Sequence, residues 1–461
     1  MLASKIEKYL DIKDKKVLVV GIARSGIAVA KFLVGKGSVV VLTDKKSLAE
    51  LTNTLQNIPV GSVEIIAGQY PEITPGSYDF LVVSPGVPLT IPPIQRAFEL
   101  GLPVVSELEL AYWYARSPII AITGTNGKTT TTTLLGEIFK RARVHTCVGG
   151  NIGLPLVLEV EKYGPEDVIV AEVSSFQLEC IEKFKPKVSV VLNFSPDHLD
   201  RHGNMDNYIT AKARIYENQE PGDYTILNYD DSRVAALGTK TPGKVIFFSR
   251  QHKLEEGIFV DNGNIILKLG ATAVKVCRTK DVFIKGPHNL ENALAAVAAA
   301  SVLGVSAEVI GRTLRDFRGV AHRLELVAEI EGVKYVNDSK GTNPDASIKA
   351  LEAYDEPIVL LAGGRNKGSD FTKFAQKVKE KVSTLVILGE CKAEIKDAVS
   401  KTGFTAIYDA KDFDEAVRIA ARMSETGQIV LLSPACASWD MFKDFEERGE
   451  RFKEVVSSLR R

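Results

Sequence analysis

Short apolar segments, each followed by a glycine-containing turn and an amphipathic helix, recur along the whole chain. The pattern first occurs in KKVLVVGIARSGIAVAKFLVGKG (15–37) and begins again with PIIAITGTNGKTTTTT (118–133). A third series follows GVAHRLE (319–325). Strands that alternate with helices in this way form parallel sheets with helices on their faces. The sequence therefore predicts an α/β protein of three units, which we place at residues 1–107, 108–319 and 320–461.

The stretch 221–285 departs from this pattern. Its short β-type runs, such as KVIFFS and NIILKL, are separated by Gly and Asn turns, which predicts a hairpin-rich insertion. A helix is predicted after PHN (287–289), and we expect it to end near Gly304.

The charge balance and the cysteines limit the partners and the compartment that we expect. Lysine plus arginine and aspartate plus glutamate number 58 each, so no net field attracts a nucleic acid or an anionic membrane. Five scattered cysteines without a CxxC pair argue against a disulfide framework and a thiolate zinc site. The N-terminus lacks the apolar core of a signal peptide, and the apolar stretch 292–305 is too short to cross a bilayer. We expect a cytoplasmic protein with no nucleic-acid partner and no membrane insertion.

Residues 124–130 read GTNGKTT and resemble part of a phosphate-binding loop. Gly127, Lys128 and Thr129 match the end of the common pattern, but Ile122 stands where that pattern has its first glycine. The segment follows an apolar strand and opens a helix, so backbone N–H groups and the helix dipole would face a bound anion. In a phosphate site Lys128 would reach the β- and γ-phosphates and Thr129 would hold Mg²⁺. The alternative is an ordinary strand-to-helix turn.

Polar side chains follow the next two strands of this unit. Glu172 ends VIVAE, where it is either a magnesium ligand or a solvated charge at a strand end. FSPDHLDRH (194–202) then gathers two acids and two histidines: Asp197, His198, Asp200 and His202. This segment could be a transition-metal site, a polar loop of turn-forming residues, or a magnesium-linked loop at the sheet edge where ligands bind.

Turns in the outer units also have the composition of binding sites. GIARSG (21–26) has Ala23 in place of the middle glycine of a dinucleotide fingerprint, and Asp44 ends the next strand, so either NAD or a nucleotide of another shape is possible. The third unit has three polar turns after apolar strands, which together suggest a binding face: NDSKGTNPDA (337–346), GGRNKGSDF (363–371) and SPACASWDMF (433–442). Cys436 has no histidine nearby in the sequence, which indicates a packed core thiol.

Eight motifs in the second and third units can be quoted together: GTNGKTT (124–130), EVSSFQLE (172–179), NFSPDHLDRH (193–202), AKARIY (211–216), HNLENALAA (288–296), HRLE (322–325), NDSKGTN (337–343) and LSPACASWDMF (432–442). As a set they resemble the Mur ligases, the ATP-dependent amide-forming enzymes of peptidoglycan precursor synthesis. Because a DNPR motif and a DDYAHHP-like turn are absent, the sequence is most similar to the D-glutamate-adding branch of that family.

The resemblance implies a Rossmann-like N-terminal domain for a UDP-substrate, a central P-loop ATPase-type α/β domain and a C-terminal Rossmann-like domain for an amino acid. It implies ADP-forming ligation of D-glutamate to UDP-N-acetylmuramoyl-L-alanine by a monomer that uses ATP and two Mg²⁺ ions. The nucleotide would be held by Gly124, Thr125, Asn126, Gly127, Lys128, Thr129, Thr130, Asn289, Asn292, Arg323 and Asp338. The metal ligands would be Thr129, Glu172, His198 and Lys212, and the catalytic residues Lys128, His198 and Lys212.

Lys212 matches the lysine that the family carbamylates, whereas its local sequence alone predicts a solvated helical lysine. The implied substrate-binding residues are Arg24, Ser25, Gly26, Asp44, Gly86, Asn151, Ser174 and Gln177, and, for D-glutamate, Lys340, Thr342, Lys367, Ser438 and Phe445. Two departures from the family pattern, Trp439 and the Lys45–Lys46 pair, weaken the match at those two turns. The alternatives are a related ligase with another amino-acid acceptor, a nucleotide-binding protein without enzyme activity, and a motor-type ATPase.

Overall fold

The computed structural model describes residues 11–56, 58, 63–366 and 368–459, and its strands form three separate sheets. The first sheet is parallel with the strand order β3-β2-β1-β4-β5, as in half of a doubly wound nucleotide-binding fold. Its strands are β1 (Lys16–Val20), β2 (Val39–Asp44), β3 (Val63–Ala67), β4 (Phe80–Val83) and β5 (Val104–Ser106). Its helices are α1 (Arg24–Gly35), α2 (Leu48–Leu55), α3 (Pro92–Glu99) and α4 (Glu107–Tyr114).

The second sheet has the order β14-β13-β12-β11-β10-β9-β6-β8-β7. Its strands are β6 (Ile119–Thr123), β7 (Thr146–Gly150), β8 (Val168–Glu172), β9 (Val188–Val191), β10 (Tyr224–Asn228), β11 (Lys244–Ser249), β12 (Gly257–Asp261), β13 (Asn264–Lys268) and β14 (Ala273–Arg278). The helices are α5 (Lys128–Arg141), α6 (Ser175–Leu178), α7 (Leu199–His202), α8 (Met205–Ala213), α9 (Ser232–Ala235), α10 (Pro287–Val302) and α11 (Ala307–Asp316). Short 3₁₀ turns cover Leu156–Leu158, Val160–Lys162, Arg214–Tyr216, Ala236–Thr239 and Thr279–Asp281.

The region predicted as a hairpin-rich insertion continues this second sheet. Strands β10, β11 and β12 run parallel to β9, and antiparallel pairing begins only between β12 and β13. The prediction of hairpins is therefore correct for the end of 221–285 and wrong for its first half. Local turn residues do not reveal that a strand pairs with a distant neighbour in parallel.

The third sheet has the order β15-β16-β20-β17-β18-β19, in which only β15 is antiparallel to its neighbour. Its strands are β15 (Glu325–Ile330), β16 (Val333–Asn337), β17 (Ile358–Gly363), β18 (Val382–Leu388), β19 (Ile407–Asp409) and β20 (Ile429–Leu432). Its helices are α12 (Pro344–Glu352), α13 (Thr372–Lys381), α14 (Lys392–Ser400), α15 (Phe413–Met423) and α16 (Phe445–Ser458). The sequence analysis did not identify the edge strand β15, whose ELVAEI mixes charged and apolar residues.

The three sheets fall into two compact units, residues up to 281 with 291–315, and 282–290 with the remainder from 316. In the first unit one buried core joins side chains from both sheets, for example Phe80 of β4 and Phe184 before β9. In the second unit separate cores cover the two faces of the third sheet. Among the described residues, we find no helix with the length and apolar character needed to cross a membrane. The predicted three-part α/β architecture is confirmed.

Candidate functional site

The GTNGKTT segment connects β6 to α5 and has the backbone shape of an anion-binding loop. Gly124 and Gly127 have φ values of +143° and +88°, which side-chain-bearing residues rarely adopt. A Cβ on Gly127 would lie 2.1 Å from Oδ1 of Asn292 in α10, so the helix can approach the loop only because a glycine is present. Gly127 is the N-cap of α5, so the start of the helix faces the space above the loop.

Residues that follow β9 hold this loop from one side. The backbone N–H of Asn126 donates to Oδ1 of Asn193 at 2.9 Å, and Nδ2 of Asn193 donates back to the carbonyl of Asn126 at 3.1 Å. The hydroxyl of Thr125 donates to the carbonyl of Ser195 at 3.2 Å and lies 3.2 Å from the Tyr208 hydroxyl. The sequence analysis did not identify Asn193, although its position directly before FSPDHLDRH was the available signal.

Two lysine ammonium groups converge on one carbonyl of the loop. Nζ of Lys128 donates to the carbonyl oxygens of Gly124 and Thr125 at 3.0 and 2.9 Å. Nζ of Lys212, from α8, donates to the same Gly124 oxygen at 3.0 Å. The ammonium group of Lys128 beside the loop is consistent with a phosphate site.

The prediction of Lys212 as a solvated helical residue, made from its local sequence, is wrong. Only 2% of its surface is exposed, and its ammonium group lies 4.9 Å from the centre of the Tyr208 ring. Burial, and after it the charge of Lys128, holds the pKa of Lys212 well below its usual value. α8 places the Lys212 side chain beside the glycine-rich loop of the same unit, which the charges flanking Lys212 in the sequence do not reveal.

Glu172 ends β8 and is also buried. Its Oε1 accepts a hydrogen bond from Nδ2 of Asn151 at 2.9 Å. Its Oε2 has no hydrogen-bond partner among the described residues, and the same is true of the buried Thr130 hydroxyl at the start of α5. Buried oxygens without a partner are costly, and a cation would satisfy a carboxylate oxygen. Asn151, predicted as a substrate residue, is thus the residue that orients this carboxylate.

The two histidines of FSPDHLDRH lie in different environments. His198 is half-exposed at the N-cap of α7 with φ +52°, and its Nε2 is 3.6 Å from an Asp197 oxygen. His202 is buried, its Nε2 lies 3.0 Å from the Ser175 hydroxyl, and burial lowers its pKa. The side chain of Asp200 lies outside the described part of the chain. Within that part, no three His, Cys, Asp or Glu side chains are grouped as metal ligands, so the transition-metal interpretation receives no support.

Ser174 and Gln177, both predicted to bind substrate, form a capping box at the start of α6. The N–H of Gln177 donates to the Ser174 hydroxyl at 3.3 Å, and the Gln177 carbonyl oxygen Oε1 accepts from the Ser174 N–H at 3.0 Å. This arrangement satisfies backbone groups at the helix start and fixes the turn after Glu172.

The first sheet brings the predicted UDP-substrate residues to its C-terminal edge. Oδ2 of Asp44 accepts from the N–H of Ile22 at 2.7 Å, so the acid supports the GIARSG turn directly. A Cβ on Gly26 would lie 2.0 Å from the Gly21 carbonyl, which explains the glycine at the start of α1. Arg24 is exposed and Ser25 partly so, while Gly86 has open space around its Cα.

In the second unit the predicted nucleotide residues Arg323 and Asp338 are neighbours. Oδ2 of Asp338 accepts from the Ser433 hydroxyl at 2.7 Å, and burial raises the pKa of Asp338 to about 6. Arg323 is flanked by His322 and Leu324, both with positive φ. Nδ2 of Asn289, in the same unit, donates to the Lys285 carbonyl at 2.7 Å.

The predicted D-glutamate residues belong to turns at one edge of the third sheet. Nζ of Lys340 lies 5.4 Å from the centre of the Phe445 ring, Thr342 follows two residues later, and Ser438 is buried in the turn after β20. Lys367 lies outside the described residues. The sequence analysis did not identify Arg448, which joins two of these turns.

Arg448 is a buried arginine on α16. Its Nη2 donates to the Ser339 carbonyl at 2.8 Å and its Nη1 to the Cys436 carbonyl at 3.2 Å. Burial lowers its pKa to about 10. The arginine therefore connects the turn after β16 with the turn after β20, and only the fold brings these turns within reach of one side chain.

Glu107 and Glu109, in the segment SELEL (106–110), are two further structural residues that were not predicted from the sequence. Oε1 of Glu107 accepts from the N–H of Val157 at 2.8 Å, and burial raises the pKa of Glu107 to about 7. Glu109 accepts from the N–H groups of Glu182, Lys183 and Phe184, each at 2.9 Å. Both acids tie the start of α4 to segments of the second sheet, so the first unit is held together around α4.

Three family models match consecutive parts of the chain. They are described as the MurD-like N-terminal domain of Mur ligases (residues 15–106), the Mur ligase middle domain (122–300) and the Mur ligase glutamate ligase domain (322–436). A protein from Pelotomaculum thermopropionicum named UDP-N-acetylmuramoylalanine–D-glutamate ligase is 58% identical over 451 residues, which are 98% of this chain and 99% of that relative. The chain belongs to the Mur ligase family. A protein of the same name from Alkaliphilus metalliredigens is 49% identical and covers 98% of this chain and 100% of its own.

Solved Mur ligase structures share the fold at low identity. The UDP-N-acetylmuramate-alanine ligase MurC from Thermotoga maritima has a TM-score of 0.59 at 22% identity, over 96% of this chain and 100% of its own. A pseudomurein peptide ligase type C from Methanothermus fervidus has the same TM-score at 19% identity and the same coverage. These likenesses support the three-part Mur ligase architecture.

Proposed function

We propose that this Mur ligase joins D-glutamate to UDP-N-acetylmuramoyl-L-alanine with hydrolysis of ATP to ADP and phosphate. The observation that carries the ATP part is the Lys128 ammonium group at the carbonyl oxygens of Gly124 and Thr125, in a glycine-rich loop that opens α5. Two relatives named UDP-N-acetylmuramoylalanine–D-glutamate ligase are 58% and 49% identical to this chain over 98% of its length. This similarity supports D-glutamate as the amino acid that is added.

In the first step the L-alanine carboxylate attacks the γ-phosphorus of ATP, giving an acyl phosphate and ADP. Both reactants are anionic, so their approach must be made favourable by positive charge and hydrogen-bond donors. We assign charge neutralisation to Lys128 and phosphate binding to the loop from Gly124 to Thr130. Asn292 would keep α10 against Gly127, and Asn289, Arg323 and Asp338 are the further residues proposed for the nucleotide.

Magnesium, when bound, would neutralise phosphate charge and orient the oxygens. The residues proposed to hold it at two sites are Thr129, Glu172, His198 and Lys212. The buried Oε2 of Glu172, which has no hydrogen-bond partner within the described ranges, fits this role, since Mg²⁺ prefers oxygen ligands such as carboxylates.

An ammonium group cannot bind a cation, so we propose that Lys212 carries a carbamate. The lowered pKa of Lys212 increases the neutral amine, whose nitrogen adds to CO₂ with loss of one proton to give an anionic carbamate. Labelling with ¹³C-bicarbonate should give a carbamate carbonyl signal in NMR spectra of the protein and none in Lys212→Met. A labelled protein without this signal at saturating bicarbonate would exclude the modification.

In the second step the amine of D-glutamate attacks the acyl phosphate carbonyl, and phosphate leaves from the tetrahedral intermediate. Lys340, Thr342, Lys367, Ser438 and Phe445 are proposed to bind the amino acid. Arg24, Ser25, Gly26, Asp44, Gly86, Asn151, Ser174 and Gln177 are proposed on the side of the UDP-sugar. Positioning of three substrates supplies most of the rate acceleration in such a reaction.

We also propose that domains 1–107, 108–319 and 320–461 each receive one substrate and close together around them. Small-angle scattering should then show a smaller radius of gyration with nucleotide and UDP-substrate present. We place this reaction in the cytoplasm and assign it to a monomer, which sedimentation at working concentration can test.

The deciding experiment measures ADP release with UDP-N-acetylmuramoyl-L-alanine and a panel of amino acids. We expect release to depend on both substrates and to be fastest with D-glutamate. A higher rate with L-alanine would indicate a related ligase with another acceptor. ATP hydrolysis at a rate that does not depend on the UDP-sugar would indicate a motor-type ATPase. ATP binding without turnover would indicate a nucleotide-binding protein without enzyme activity.

A further inference from the structure

Two buried cysteine side chains meet in a core of the second unit. The Sγ atoms of Cys391 and Cys436 lie 2.9 Å apart, and each residue is 1% exposed. In a disulfide bond the two sulfurs are about 2.05 Å apart, so these thiols are already close to bonding distance. The residues are 45 positions apart in the sequence, and only the fold of the third sheet brings them together.

The two cysteines lie in turns that follow strands β18 and β20, which are not adjacent in the third sheet. Cys391 follows β18 and is the N-cap of α14, whereas Cys436 lies in the turn after β20. β17 separates these strands, and its turn contains Gly364 with φ +133°. A Cβ on Gly364 would lie 2.2 Å from the Ala437 carbonyl oxygen and 3.2 Å from Cβ of Cys436, so the glycine lets the turn after β20 approach the turn after β17 closely.

Backbone hydrogen bonds hold all three turns in this arrangement. The N–H of Cys391 donates to the Gly364 carbonyl at 2.9 Å. Arg365 and Ala437 exchange two backbone hydrogen bonds of 2.9 and 3.0 Å. Because the backbone on both sides is fixed, little conformational freedom remains to be lost if the two sulfurs are joined.

We propose that Cys391 and Cys436 are a site of reversible disulfide formation by small peroxides. One thiol reacts with hydrogen peroxide to give a sulfenic acid and water, and the second thiol then attacks that sulfur to give the disulfide and another water. In total two thiols lose two electrons and two protons, and one peroxide is reduced to two waters. A small dithiol reductant reverses the change by thiol–disulfide exchange.

Burial sets the rate of this reaction. Contact with Cys391, and burial, raise the pKa of the Cys436 thiol, so it is protonated at neutral pH and reacts slowly. Oxidation therefore requires brief opening of the turns, and the disulfide once formed is similarly protected from reductant. The crosslink would also restrain the unfolded chain and stabilise the second unit.

The test treats the native protein with hydrogen peroxide, blocks the remaining thiols with an alkylating agent under denaturing conditions, and maps the peptides. We expect a peptide pair linked through Cys391 and Cys436, with the loss of two hydrogen atoms from the intact mass. Oxidation should raise the Tm of the second unit by roughly 5–10 °C, and a dithiol reductant should restore the original value.

Cys391→Ser and Cys436→Ser should give no linked peptide and no peroxide-dependent rise in Tm. Cys277→Ser is the matched control, because it removes a buried cysteine from the first unit and should leave the linkage intact. The proposal fails if native wild-type protein is oxidised at Cys436 to sulfinic acid while Cys391 stays alkylatable, if it yields links to other cysteines instead, or if no link forms. These wild-type results remain decisive even if a serine variant fails to fold.

Discussion

Lys128 and Lys212 both donate a hydrogen bond to the carbonyl oxygen of Gly124, each at 3.0 Å. They come from different helices, α5 and α8, and are 84 positions apart in the sequence. Burial, and after it the charge of Lys128, holds the pKa of Lys212 well below its usual value. In the proposed ATP chemistry Lys128 would face the phosphates and the carbamate on Lys212 would face Mg²⁺, so the pair connects the loop geometry with both parts of the proposed site.

Lys128→Met should lower kcat/KM for ADP release by about 100- to 1,000-fold, because a charge that stabilises the transferred phosphoryl group is lost. The variant should remain folded, since the aliphatic chain is kept. Lys140→Met is the control, as Lys140 is exposed near the end of the same helix. Full ligation by Lys128→Met, measured by coupled ADP release, would contradict the assignment.

Gly127→Ala should abolish nucleotide binding and lower stability by about 1–3 kcal/mol, because the residue has φ +88° and a Cβ would lie 2.1 Å from Asn292 Oδ1. Calorimetric titration with ADP and chemical denaturation measure the two effects. Gly35→Ala is the matched control: the site is helical, and no described atom outside the local helix backbone would lie within 4 Å of an added Cβ. That control should bind nucleotide normally, and equal behaviour of the two variants would refute the prediction.

Glu172→Gln should raise the Mg²⁺ concentration needed for half-maximal ADP release at least about tenfold, because a neutral amide is a poorer cation ligand than a carboxylate. Thermal stability should change little, since the amide oxygen can still accept from Asn151. Glu137→Gln, on the surface of α5, is the control. An unchanged Mg²⁺ titration in Glu172→Gln would remove Glu172 from the metal site.

Glu107→Gln tests the pH dependence of stability. Burial raises the pKa of Glu107 from 4.5 to about 7, so between these values the folded protein holds a proton that the unfolded chain releases. The contribution of Glu107 to the free energy of unfolding is fully present below pH 4.5. It is lost as the pH rises to 7, and the loss is at most about 3 kcal/mol. The glutamine variant cannot titrate there, so its free energy of unfolding relative to wild type should increase over that interval and then level off.

Tryptophan fluorescence can follow unfolding of the region around Glu107. Trp113 lies on α4 with Glu107, and Trp439 is the second of the two tryptophans, so Trp439→Phe leaves a reporter in the relevant helix. Denaturation curves in this background at a series of pH values give the difference. A difference that is constant from pH 4.5 to 7 would show that Glu107 is ionised in the folded protein throughout.

Much of the architecture could be predicted because local chemistry determines it. Apolar runs such as LVV in β1 are buried on both faces. Gly124 and Gly127 of GTNGKTT have positive φ values, which disfavour other residues because of clashes within the local backbone. The helix predicted after PHN is α10, and its Ala-rich stretch is buried. The motifs shared with Mur ligases then identified the family, since their residues and order are retained.

Other features depend on which distant segments meet. The local sequence of Lys212 gives no sign that α8 buries it against Tyr208 and Gly124. The roles of Arg448 and Glu109 follow from backbone groups far away in the chain. Strand β10 pairs with β9 in parallel across 32 intervening residues, and local turn residues had predicted hairpins instead.

The sequence by itself determined the α/β class, the glycine-rich loop and the Mur ligase family, because strand periodicity, turn chemistry and motif order are properties of neighbouring residues. Only the tertiary structure decided which side chains are buried and which charges face each other. Long-range packing lowers the pKa of the buried Lys212, leaves Glu172 Oε2 without a hydrogen-bond partner in the described part of the chain, and brings Cys391 to Cys436.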